Sequence, residues 1–287
     1  MPPLTSSSLA IFGPGLLGGS LLLDARELGF QDLRVWARRE SSLAEVRDRG
    51  LADMISTDAA AVADRADFIV LCIPVGGMEA LARQITASPL KPGAVVTDVG
   101  SVKAPVLSGA GAVFKSAGVE FIGSHPMAGS ETAGLSAARP NLYQGAACIL
   151  TPTPETNPAA LALLESFWAA FGCRTTCMDA AHHDTLVARI SHLPHLAAVA
   201  ATLAAFKPDA SMAHFAAGGL RDTTRVASGP PKMWCEILME NRHSILPALQ
   251  DFHQVTGDLL EMLAKPDETR LLSCLDEARQ LRATRYP

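Results

Sequence analysis

Short strand-like stretches, most of them predominantly apolar, recur up to Asp179: 9–12, 33–37, 67–72, 94–98, 120–123, 147–150 and 173–178. Runs of this length, bounded by glycine, proline and charge, predict buried strands of a parallel sheet. Between them the spacing is helical. Leu17, Leu21, Ala25 and Leu28 share one stripe, closed by Gly29 as a left-handed C-cap. Ser42 and Glu45 have capping-box spacing and predict the start of a second helix, ending near Gly50. A short strand at 54–56 and helices near 58–64, 77–85 and 158–171 complete the alternation. The pattern predicts one parallel sheet covered on both faces, with 147–150 and 173–178 extending it.

After Asp179 the strands stop. Asp179 is placed to cap a helix carrying His182, His183 and Asp184. Helices are expected over 180–206, 209–217, 232–264 with a break at Pro247, and 266–283, with 218–225 joining two of them. The change of class predicts two domains, 1–179 and 180–287. The most apolar stretch, 187–206, contains Arg189, His192, Pro194 and His195. Such residues suit the central helix of a soluble helical domain better than a membrane span. Because it is apolar all round, it also predicts a dimer interface. Pro194 removes one N–H and frees the carbonyl near Ile190.

Length and composition narrow the class. The 287 residues suffice for two domains with sizeable cores, and 48% of them are hydrophobic. A net charge of −5 argues against a general nucleic-acid binder. Six cysteines are scattered without a Cys-x-x-Cys pair, which reads as reduced thiols and a cytoplasmic location. Residues 1–8 show neither a positive region nor an apolar core, so no signal peptide is expected.

The chemistry begins at Gly13-Pro14-Gly15-Leu16-Leu17-Gly18, which follows the first apolar run and opens the first helix. In that context Gly-x-Gly-x-x-Gly reads as a dinucleotide fingerprint. Gly13 allows the tight turn, Gly15 the approach of a pyrophosphate, and Gly18 close packing of helix on strand. Arg38 and Arg39 end the second run, where an acid normally holds the ribose of NAD. Guanidinium groups there favour a 2′-phosphate, hence NADP, with NAD the alternative. Ile73 and Pro74 end the next long run, on the edge that faces a ligand crevice.

Two further loops carry Ser101 and His125. Together they suit removal of a proton from an alcohol during hydride transfer. Each also has a purely structural reading: a helix N-cap for Ser101, a loop hydrogen bond for His125. His192 and His195 share a helix face, either as hydrogen-bonded core histidines or beside a ligand. No nearby carboxylate or thiol completes a metal set around them. Arg225 has the forked geometry for a carboxylate, or it satisfies helix-end carbonyls.

In order along the chain, these motifs resemble the prephenate and arogenate dehydrogenase family of tyrosine biosynthesis. The stretches are 13–20, Asp98-Val99-Gly100-Ser101-Val102-Lys103, Ser124-His125-Pro126-Met127-Ala128-Gly129-Ser130-Glu131, His183-Asp184 with Ser191-His192-Leu193-Pro194-His195, and Arg221-Asp222-Thr223-Thr224-Arg225. The resemblance implies a Rossmann-type dinucleotide-binding domain followed by an all-α domain for substrate and dimerisation. It implies oxidative decarboxylation of a cyclohexadienol, with hydride passing to NAD(P). His125 would deprotonate the ring hydroxyl, Ser101 would position it and touch the nicotinamide, and Arg225 would hold the ring carboxylate. His195 would border the substrate, with His192 and Arg221 on the same side. Trp234 would approach the second subunit's site in a homodimer. Glu131, six residues after His125, is the best-placed acid to read the ammonium of arogenate; as a surface glutamate it would only cap the next helix. Arg38-Arg39 depart from the family's usual NAD pattern.

Two other readings remain. A 3-hydroxyacid or 6-phosphogluconate type of dehydrogenase would place a lysine on the first long helix of the second domain, and 180–206 has none. A non-catalytic NADP-binding sensor would have no need of Ser101, His125, His195 and Arg225 together.

Overall fold

The computed structural model describes residues 4–130 and 132–285. Glu131 therefore lies outside the described residues. Six parallel strands form the main sheet: β1 (Ser8–Phe12), β2 (Asp32–Trp36), β3 (Met54–Ser56), β4 (Phe68–Leu71), β5 (Val95–Asp98) and β6 (Glu120–Phe121). Their order is β3-β2-β1-β4-β5-β6. The order reverses between β1 and β4, which opens a crevice at the carboxyl ends of those strands. This is the Rossmann-type arrangement. Leu9 to Phe12 are buried throughout, because helices cover both faces. One face packs Leu21, Leu22, Phe167 and Trp168, with Phe68 stacked on Phe167 at 4.9 Å. The other packs Met78, Leu81, Ile85 and Phe114.

The sheet does not continue as expected. β7 (Gly123–Pro126), β8 (Ala147–Thr151) and β9 (Arg174–Cys177) form a separate three-stranded sheet. In it β8 runs antiparallel to β7 and parallel to β9. The division falls at Ile122, whose N–H still reaches Val96 O at 2.9 Å. Beyond it, side chains replace the ladder. Thr97 Oγ1 donates to Ile122 O at 2.7 Å and lies 2.6 Å from Ser124 Oγ, which accepts from Trp168 Nε1 at 3.0 Å. An apolar run records burial but neither partner nor direction, so the sequence pattern was blind to the second sheet.

Several helix boundaries also differ. Helix Glu40–Asp48 starts before the Ser42–Glu45 spacing, with Arg39 as an extended N-cap that makes no side-chain cap bond. Glu40 in the first turn favours that start through the helix dipole. Asp179 does cap Ala180–Val187, accepting from His182 N at 2.8 Å. A π-turn at Ala188–His192 then leads into Leu193–Phe206. It lies just ahead of Pro194, whose missing N–H loosens that turn. The 209–217 helix is only a 3-10 run, Ala210–Phe215, and the expected joint is itself helical over Gly218–Thr224. Pro247 sits inside Arg242–Ala264, and the break falls at Asn241 instead. There the side chain is engaged elsewhere, as described below.

Contacts divide the chain into two compact units, one ending at Asn241 and one beginning at Arg242. The second is the helix pair Arg242–Ala264 and Glu268–Arg285. Helix Leu193–Phe206 is not the buried core helix expected. Only His195 and Ala198 are buried along it, and Leu203 is 57% exposed. Its apolar residues outnumber what one chain covers.

Candidate functional site

A cleft of about 700 Å³ opens at the carboxyl ends of β1, β4 and β5. Its floor is the glycine turn. Gly13 has φ +110°, and a Cβ there would lie 2.6 Å from Cys72 O. A Cβ on Gly18 would collide with Gly13 O. Both glycines shape the turn and neither lines the cleft. Gly15 does line it, and a Cβ there would meet nothing within 4 Å. Helix Leu16–Leu28 begins at this point with no side-chain cap, so its first N–H groups are open to an anion. The donor set fits a pyrophosphate. Leu16, Leu17, Ile73 and Pro74 line the same end. Arg38 and Arg39 are exposed beyond the end of β2, outside the lining.

At the other end stand Ser101, His125, Ser191, His192, Arg225 and Trp234. Ser101 is no N-cap: the next helix, Ala104–Val106, is preceded by Lys103. His125 lies on β7, and its Nδ1 is 2.8 Å from Nε2 of His183. Nδ1 of His183 is 2.7 Å from Asp184 Oδ1. The carboxylate also accepts from Lys103 N at 2.7 Å and Ala104 N at 2.9 Å. If each ring carries a single proton, the Asp184 carboxylate sets both tautomers. It accepts from Nδ1–H of His183, so Nε2 of His183 accepts from Nδ1–H of His125. Nε2 of His125 is left as a lone pair, the form a general base needs. Burial pushes the His125 pKa well below the usual histidine range, and His183, Lys103 and His192 push it the same way. The His125 imidazole is therefore unprotonated at neutral pH.

Lys103 holds this frame. Its side chain is fully buried, paired with Asp98 and donating to Ser124 O at 2.7 Å. Asp98 in turn accepts from Gly100 N at 2.7 Å and Ser124 N at 3.2 Å. The pair thus ties the Ser101 loop to the strand carrying His125. Burial lowers the Lys103 pKa, with Asp98 opposing it. Removing either partner would strand a charge in the interior.

The helical segment supplies the opposite wall. Gly76 N donates to Glu236, joining helix Pro231–Glu240 to the loop after Pro74. His195 is not in the lining. It stacks on Trp234 with ring centroids 3.6 Å apart and 8° between planes, backing a residue that does line the cleft. Burial lowers its pKa, against a backbone hydrogen bond to Val226. Arg221 also lies outside the lining, exposed and paired with Asp222 at 3.4 Å. Among the described residues, no group of three or more His, Cys, Asp or Glu could hold a metal ion.

Sequence reasoning did not give His183, Asp184, Lys103, Asn241 or Glu236 a role in the site. The signal for the first two was present: an adjacent His-Asp pair in the first turns of a capped helix. Lys103 gave none, since a lysine after a strand-end loop is ordinarily solvated.

Comparisons with known proteins bear on the family. Residues 25–177 match the family model "Prephenate dehydrogenase, nucleotide-binding domain", and 179–277 match "Prephenate dehydrogenase, dimerization domain". A cyclohexadienyl dehydrogenase of Zymomonas mobilis is 32% identical over 96% of this chain and 94% of its own. A prephenate dehydrogenase of Lactococcus lactis is 31% identical over 96% of this chain and 76% of its own. The crystal structure of prephenate dehydrogenase from Aquifex aeolicus with hydroxyphenyl propionate and NAD+ superposes with a TM-score of 0.89 at 31% identity, over 98% and 99% of the two chains. That of Synechocystis arogenate dehydrogenase superposes with a TM-score of 0.80 at 30% identity, over 96% and 99%. The two family models, which together span most of the chain, and relatives more than 30% identical over 96% of it make this chain a member of the prephenate dehydrogenase family, an NAD(P)-dependent oxidoreductase.

Proposed function

We propose that the chain oxidises and decarboxylates prephenate or arogenate, giving 4-hydroxyphenylpyruvate or tyrosine. The observation that carries this reading is the hydrogen-bonded row Asp184–His183–His125, whose last ring lines the cleft that contains the glycine turn. A nicotinamide dinucleotide, when bound, supplies the hydride acceptor for ring C4. His125 takes the hydroxyl proton, and the chain to Asp184 stabilises the imidazolium. Loss of the ring carboxylate as CO2 leaves a phenolate, to which His125 returns the proton. Ser101 orients the hydroxyl, and Arg225 holds the ring carboxylate as a charged fork. Trp234, backed by His195, walls the ring, while Arg221 and Glu131 remain substrate-side candidates.

The exposed Arg38 and Arg39 support NADP over NAD as the preferred cofactor. We divide the chain functionally at 179: 1–179 for the dinucleotide and 180–287 for substrate and a homodimer. Exposed Ile190 and Leu203 on the apolar helical stretch, together with the matched dimerisation domain, support the pairing of two copies. Six free thiols suit the cytoplasm. Rates with each acid and each nicotinamide, followed by nicotinamide absorbance, test the reading. Turnover of at least one acid is expected, with NADP used at least as well as NAD; no turnover in any of the four combinations sinks it.

A further inference from the structure

Asn241 ends helix Pro231–Glu240 and is 3% exposed. Its Nδ2 donates to Asp184 O at 2.8 Å and lies 3.1 Å from His192 Nδ1. The first bond fixes the amide. A backbone carbonyl can only accept, so the atom facing it is the NH2 nitrogen and not the amide oxygen. The second N–H then points at His192, so Nδ1 of that ring accepts and its proton sits on Nε2. That Nε2 is buried, and among the described residues nothing accepts from it. A donor left this way is costly unless something that binds there accepts from it. His192 stands on the π-turn and lines the cleft, edge-on to Trp234 with centroids 6.2 Å apart.

We propose that Asn241 is a positioning residue that holds His192 as its Nε2–H tautomer, so that this buried imidazole donates a hydrogen bond to an oxygen of the anionic substrate. The inference rests on the proposed reaction for the identity of that anion. Burial lowers the His192 pKa to about 4, with Asp184 opposing and His183 and His195 adding to the fall. The ring is thus a neutral donor at working pH. Neutrality matters here, because a charge on His192 would weaken His125 as a base. The same Asp184 serves both rings: its carboxylate orders His183, and its backbone carbonyl orders Asn241.

Nitrogen NMR on histidine-labelled enzyme reads the tautomer directly, with His192 assigned by its loss in His192→Gln. The resting enzyme should show His192 protonated on Nε2 and bare on Nδ1. In Asn241→Asp the carboxylate accepts from Nδ1–H, so the signature should invert. Substrate KM should then rise roughly tenfold, the worth of one good hydrogen bond, with cofactor KM within about twofold. His192→Leu should raise substrate KM by a similar factor. His192→Gln, whose carboxamide nitrogen reaches the Nε2 position, should recover most of that loss. A proton on Nδ1 in the resting enzyme overturns the proposal. So does an inverted ring in Asn241→Asp with unchanged substrate KM, or equal losses in the Leu and Gln variants. Failure of the wild type to oxidise either acid would overturn the proposed reaction instead, since the spectrum reads the tautomer without turnover.

Discussion

His125 and His192 are both buried, both neutral and both in the lining of the cleft, yet the hydrogen bonds behind them favour opposite tautomers. His125 presents a lone pair because its chain of hydrogen bonds ends at a carboxylate. His192 presents an N–H because its chain ends at an amide that itself faces a carbonyl. Burial alone made the two rings alike. The difference comes from groups one or two bonds away, none of which touches the cleft through the atom that decides. An imidazole is made an acceptor or a donor by its outer partner.

The strongest attack on this contrast is His125→Asn. It should lower kcat by roughly 10²–10⁴-fold, the usual worth of a general base, with much less change in substrate KM. A near-wild-type kcat would remove the base from its place. Next comes Asp184→Asn, which takes away the anion that orders His183. A loss of up to about 10⁴-fold in kcat is expected, as when the aspartate that fixes the tautomer of a catalytic histidine is replaced. Unimpaired turnover would mean that the tautomer of His125 is set elsewhere.

The acid limb of kcat/KM sharpens the same point. In the proposed reaction the active form of His125 is unprotonated, and burial depresses its pKa. Activity should therefore hold as pH falls through the ordinary histidine range near 6.5 and decline only below it. A limb centred at or above that value would contradict the buried, neutral base. The smallest effect should come from changing Arg38 and Arg39 together to alanine, at a distance from both rings. These side chains are exposed, so the KM for NADP should rise only about two- to fivefold. The KM for NAD and kcat should stay near wild type; equal effects on both nicotinamides would reduce the pair to surface charge.

Much of the framework was legible in the chain. The run 9–12 leading into Gly13, Gly15 and Gly18 encodes strand, turn and helix together, since Gly13 and Gly18 each answer a local steric demand. Asp179 as a cap is legible for the same reason. The second sheet was not, because a buried run such as 147–150 reads the same in either direction. His125 and His183 are 58 residues apart, so no local spacing could announce their hydrogen bond. Between His192 and His195, three apart, periodicity gives one shared face and cannot tell which ring meets the cleft and which lies behind Trp234. His192 closes a π-turn while His195 lies in the α-helix that follows, stacked on Trp234, and that placement comes from tertiary packing.

The thinly covered helix Leu193–Phe206 has a consequence for the enzyme in solution. If a second copy covers its apolar face, as proposed, that face is buried by mass action, and the folded state gains free energy with each increase in protomer concentration. Melting temperature then becomes a function of dilution. Enzyme handled at nanomolar assay levels samples a less stable population than enzyme stored at micromolar levels. For such a chain, thermal tolerance belongs to the abundance of the protein as well as to its sequence.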